Sequence, residues 1–169
     1  MPGDSRIMAD AGLGKVSSTV ATLPGGYTLG EVRHDGGIKY RLFCNASPDQ
    51  INPGWGFMRA SGCGAYSIAL TSTLDVARHI GGGVVHHATV PTAYYFWGAV
   101  RGYLASGVIG GETSISSGNP MSLQTTGCFL GCGATISTQV PCGYVLATVT
   151  TGHTGTGGTR TGSVYVAFE

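Results

Sequence analysis

Five histidines, His34, His79, His86, His87 and His153, are the side chains of this sequence best suited to acid–base or metal chemistry near neutral pH. His86 and His87 are adjacent, so in a strand they face opposite sides and do not easily enter one site. A serine-type triad can be assembled on paper from Asp75, His86 and one of many serines. A triad is defined by geometry, however, and no G-x-S-x-G elbow stands in the chain. Paired carboxylates for glycoside hydrolysis would have to come from Glu31, Glu112, Asp4, Asp10, Asp35, Asp49 and Asp75, most of which fall in expected turns or near the N-terminus. Gly3-Asp4-Ser5 would need a strand before it to present its serine at a turn, and none is expected there. The glycines of 152–162 do not open a helix and form no phosphate loop.

Cys128 and Cys132 have a C-x3-C spacing, and Cys142 and His153 could complete a four-ligand zinc site on paper. The competing reading, that each cysteine is a small buried hydrophobe, is the stronger. The five cysteines (these three with Cys44 and Cys63) are an odd count, which argues against a disulfide framework. The expectation is therefore no catalytic residue, no cofactor, no metal and no small-molecule substrate.

Composition points the same way. The 169 residues suit one domain with an extended arm and suffice for a real core. Only 10% are charged, against a usual share of about 25%. Hydrophobic residues make up 42%, so the chain is not disordered, and no apolar stretch is long enough for a spanning helix. The first fifteen residues have neither an apolar core nor a basic start, so no secretory signal is expected. A net charge of +1 with scattered arginines leaves no footprint for nucleic acid. A surface this poor in charge is expected to be buried in an assembly.

The elements that would position these residues read as strands. The densest hydrophobic run, 84–112, does not alternate, so both its faces are expected to be covered, by a second sheet or by a neighbouring subunit. Gly98, Gly102 and Gly107 punctuate it, and we expect two or three buried strands joined by turns, with two of the four aromatics 94–97 inside and two at a subunit contact. Asp35-Gly36-Gly37 between alternating runs predicts a hairpin whose apolar face carries Leu29, Val32, Ile38, Tyr40 and Leu42. Further strands are expected at 66–70, 128–139, 143–150 and 163–168, with 71–80 ambiguous between helix and strand, and turns at 52–54 and 118–120. Short strands with glycine turns imply an all-β fold, an antiparallel β-sandwich or barrel, over residues 26–169. Residues 1–25 form an extended N-terminal arm with one extended piece at 15–23, either a tether onto a neighbour or a frayed terminus.

The order of KYRLFCNAS after a DG turn, INPGWG, VPTAYYFWGAVRGYLASGV, a GNPM turn, VPCGYVLATVT and a closing SVYVAF resembles the small capsid decoration (cement) proteins of tailed bacteriophages over residues 27–169. The resemblance implies a β-rich, non-enzymatic protein, often trimeric, that sits on the outside of the virion head and bridges neighbouring major capsid protein subunits. It would be assembled in the host cytoplasm. On that reading the arm residues Ile7, Met8, Leu13, Val16, Val20 and Leu23, with Trp55, are the expected partner-binding side chains. The alternative is a glycan- or receptor-binding fibre tip exposing Trp55, which is flanked by Gly54 and Gly56, and some of the central aromatics.

Overall fold

The structure, a computed structural model, describes residues 13–60, 66–69, 82–110, 115–123, 127–131, 141–148 and 159–168. Every regular element among them is a strand: β1 (Thr19–Val20), β2 (Val32–Asp35), β3 (Ile38–Asn45), β4 (Gly56–Arg59), β5 (Ser67–Ala69), β6 (Gly83–Val85), β7 (Tyr95–Gly110), β8 (Pro120–Leu123), β9 (Phe129–Gly131), β10 (Pro141–Val145) and β11 (Thr159–Ala167). The fold is all-β. Stretch 71–80 and the arm before Leu13 lie outside the described residues.

The central run does not break at its glycines. β7 is one strand of sixteen residues, and Gly98, Gly102 and Gly107 lie inside it. These glycines allow close approach. A Cβ on Gly98 would stand 2.5 Å from the Phe57 ring, and one on Gly107 would stand 2.7 Å from Val164. Gly102 has φ +131° and lies against the β3 backbone at Ile38. Over 95–100 both faces of β7 are covered by other parts of the chain, while Arg101, Tyr103, Ala105 and Ser106 farther along are exposed. Phe96 joins a core with Phe43, Phe57, Ile68 and Val100, while Trp97 joins the larger core with Tyr40, Leu42 and Ala99. Tyr94 and Tyr95 are half-buried against these same two cores.

The hairpin forms as its turn chemistry demands. Asp35 pairs with Ile38, and the two loop residues Gly36 and Gly37 have φ of +55° and +80°. On β3 the expected face is buried, at Ile38, Tyr40 and Leu42. On β2 the assignment reverses: Val32 is exposed, and Arg33 turns in over the Trp97 ring, 5.1 Å from its centroid. Register is the cause. The two-residue turn sets Arg33 opposite Tyr40, and opposed residues share a face.

Strand pairings close on themselves twice. β3, β5, β4, β6 and β7 form one circuit, and β7, β9, β8, β10 and β11 form another. The sheet is mixed rather than purely antiparallel, because β3 with β5 and β7 with β9 are parallel. In each case the intervening strand makes the return.

The two circuits are the same unit used twice. Strands β3 to β7 occupy the places of β7 to β11, with the same pairing directions throughout, so β7 ends the first unit and begins the second. Their turns repeat as well. Gly54 donates to the Val85 carbonyl at 2.7 Å, and Gly118 donates to that of Val145 at 2.7 Å. Val85 and Val145 return bonds of 3.0 Å to Trp55 and Asn119, and Gly54 and Gly118 share φ +84°. The first turn sits at the joint between units, for Val108 of β7 also donates to the Gly54 carbonyl at 2.9 Å.

Candidate functional site

On the second unit, the outward side of β7, β11 and β10 carries a row of tyrosines. Alternation builds it: Leu104, Val164, Val166 and Val145 point into the core, and the residues between them point out. Register aligns it, with Tyr103 opposite Tyr165 and Tyr165 opposite Tyr144. Tyr103 is 53% exposed and Tyr144 51%, and Leu146 beside them is 42% exposed. These are three of the four large apolar side chains most open to solvent among the described residues, the fourth being Val32. Arg101 donates from Nε to the Tyr165 hydroxyl at 3.3 Å, and the Tyr103 hydroxyl lies 3.4 Å from Ser163 Oγ. The result is an aromatic surface with hydroxyls and the Arg101 guanidinium at its edge. Such a surface suits contact with another polypeptide, since tyrosine buries much area at little entropic cost.

Sequence reasoning passed over these tyrosines because Tyr94–Trp97 drew attention by density. The available signal was alternation in Gly102–Ser106 and Val164–Ala167, where each tyrosine stands between apolar neighbours that must turn inward.

The second cluster joins residues expected to diverge. His86 and His87 follow β6 in a bend, outside the strand that would have separated them, and both reach the Tyr40 hydroxyl. His86 Nδ1 lies 2.6 Å from Tyr40 Oη and His87 Nε2 lies 3.2 Å from it. The rings of the two histidines pack with centroids 3.9 Å apart. A phenol has one proton, so the consistent assignment has Tyr40 donating to His86 Nδ1 and His87 Nε2–H donating to Tyr40 Oη.

Electrostatics holds this chain of bonds neutral. Burial, and then the neighbouring His87, push His86 down to about 4. Burial also lowers His87, against the opposing pull of Asp35. Burial and the Asp35 charge push Tyr40 up to about 12. A phenol kept protonated between neutral imidazoles is a tie between β3 and the segment after β6, and it generates no nucleophile. Among the described residues no three His, Cys, Asp or Glu side chains gather as metal ligands. Of the zinc candidates, Cys128 and Cys142 are buried, while Cys132 and His153, like Asp75 of the paper triad, lie outside the described residues.

The residues expected to bind a partner are placed as follows. Ile7 and Met8 lie outside the described residues. Leu13 is fully buried in the chain's own core, and Val16, Val20 and Leu23 pack half-buried against it. β1 pairs with β7 at Tyr95–Phe96, and Arg33 donates to the Gly14 carbonyl. Trp55 is half-buried against the core around Phe43 and Phe57.

No family model matches the chain, and no curated protein matches it. Among solved structures it is similar to the N base of head fiber gp8.5 in bacteriophage phi29, at a TM-score of 0.43 and 12% identity, over 77% of this chain and 96% of that one.

Proposed function

We propose that this protein is a non-enzymatic structural component of a phage virion, a decoration protein bound to the outside of the capsid that bridges neighbouring major capsid protein subunits as a homo-oligomer, most simply a trimer. The observation that carries this reading is the exposed Tyr103–Tyr165–Tyr144 row on a chain with only 10% charged residues. Such a surface gains by burial against a partner, and many modest contacts repeated over a shell add up through multivalency. The sequence resemblance to cement proteins supports the same reading. Residues 1–12, with Ile7 and Met8, are the part of the arm proposed as a tether, because the following residues are docked on their own domain.

The test is the mass of the purified chain in solution, followed by mixing it with phage heads that lack it. A trimer that rebinds heads and raises their resistance to heat supports the proposal. A monomer that ignores heads rejects it. Tyr103→Ser with Tyr144→Ser lowers occupancy without lowering the thermal midpoint, and removal of 1–12 lowers occupancy while the β domain stays folded. Saccharide binding that alters tyrosine fluorescence, with no affinity for heads, would favour the fibre-tip alternative.

A further inference from the structure

Residues 15–20 of the arm form a strap beside the histidine pair. Segment 16–19 faces His86 and His87 across a space of about 10 Å³, which Phe96 and Trp97 of β7 also line. The strap itself is lightly held. Thr19 and Val20 pair with β7, the Ser18 amide donates to the Lys15 carbonyl within the strap, and Lys15 and Ser17 are exposed. The bonds that fix the arm come just before it, at the carbonyls of Leu13 and Gly14.

Neutral imidazoles are part of this closed arrangement. Tyr40 is buried, gives its one proton to His86 Nδ1 and accepts from His87 Nε2–H. A proton added to His86 turns Nδ1 into a donor, so the Tyr40 oxygen meets two donors and its own proton loses its acceptor. The two rings, with centroids 3.9 Å apart, would also carry like charge. A space of about 10 Å³ admits about one water, too little to hydrate both rings in place. The surrounding charges add to this. Lys15 of the strap, with Arg33, His34 and Asp35 of β2, lines the cleft that His87 shares. Asp35 favours a protonated His87, whereas Lys15, Arg33 and a protonated His34 oppose it. Segment 16–19, Phe96 and Trp97 add no ionisable side chain.

We propose that His86 and His87 are an acid-operated catch for the strap, closed while both rings are neutral and opened by their protonation, which frees residues 15–20 from the domain. Opening releases the β7 edge at Tyr95–Phe96, which β1 occupies while the catch is closed. Burial works in the same direction, since it holds both imidazoles below the ordinary histidine range in the closed form. Acid therefore favours the form in which the rings reach water. The inference does not depend on the decoration reading, because every group in it lies within this chain.

The experiment is amide hydrogen exchange on the full chain at pH 7 and pH 4.5, read as protection factors so that the direct effect of pH on exchange is removed. Protection at residues 18–20 is expected to fall at least about tenfold on acidification, while that of β11 falls less. With His86→Gln and His87→Gln together the fall should vanish, since glutamine amides can bond Tyr40 without titrating. Asp35→Asn should enlarge the fall, because Asp35 is the carboxylate that steadies a protonated His87 in the closed form. Asparagine before Gly36 suits the hairpin turn as well, so this variant decides the matter even if the double variant is loose at pH 7. Equal protection at both pH values in the wild type, an equal loss throughout β11, or a fall that neither set of substitutions changes would overturn the inference.

Discussion

The indole Nε1–H of Trp97 donates to the backbone carbonyl of Leu13 at 2.9 Å, across 84 residues of sequence. Both residues are buried, so the bond is shielded from water, and its loss leaves the carbonyl only the longer 3.4 Å bond from Arg33 Nη1. The Tyr27 ring meets the same indole edge-on, with centroids 6.3 Å apart. This one side chain fastens the start of the described chain to the strand shared by both units.

Trp97→Phe keeps an aromatic ring but removes the donor and some volume. Because Arg33 still reaches the carbonyl, the lost bond costs on the order of 1 kcal/mol, with a further loss from the cavity. Amide hydrogen exchange should quicken at residues 13–20 more than in β11. Unchanged protection there would show that the arm is held by apolar packing alone.

Gly54 and Gly118 make a matched pair. Both have φ +84°, so alanine at either carries the left-handed backbone penalty, on the order of 1–2 kcal/mol. At Gly118 a Cβ meets open space, whereas at Gly54 it stands 2.8 Å from the backbone oxygen of Ser106. Gly54→Ala should therefore destabilise the chain clearly more than Gly118→Ala in urea titration. Equal losses would mean that the joint between units yields more easily than its contacts imply.

Asn45 is fully buried and its Nδ2 donates to the carbonyls of Asp49, Val90 and Pro91, while its Oδ1 accepts from the Ser47 amide at 2.9 Å. Asn45→Ala strands several of these groups at once, and a loss of about 2–4 kcal/mol is expected. A thermal midpoint within a degree or two of wild type would show that water replaces the amide.

Acid should loosen the Tyr40 tie. His86 ordinarily titrates at 6.5 and is held at about 4 in the fold, so between these values the unfolded chain binds the extra proton. The stability from the neutral ring is complete above about pH 6.5 and is lost as pH falls towards 4, and the lowered His87 acts with the same sign. The ring is only half-buried, so the effect is discounted to the order of 1 kcal/mol. His86→Gln should shrink the fall in thermal midpoint between pH 7 and pH 4.5. An identical fall in both proteins would place the acid sensitivity elsewhere.

Much of the strand content was readable because it is local. The Asp35-Gly36-Gly37 turn specifies its hairpin, and the alternation of Ile38, Tyr40 and Leu42 follows from the pleat. The inward turn of Arg33 was not readable, since that depends on which strand lies opposite and on the Trp97 ring waiting there. Nor was the convergence of His86 and His87, which follows from β6 ending at Val85. The doubled unit left a faint trace, Ile51-x-x-Gly54 against Ile115-x-x-Gly118, too short to stand out before the hydrogen bonds of the two turns are compared.

By itself the sequence determined an all-β chain with little charge, glycine turns and one dominant hydrophobic strand region, because composition and period-two patterning act on neighbours along the chain. Tertiary structure alone decided that this region is a single sixteen-residue strand serving two units, and that Tyr103, Tyr165 and Tyr144 share one open row while Val84, Ala99 and Tyr40 are covered. The physical reason is that facing and burial are properties of pairs of strands, set by register between residues many tens of positions apart.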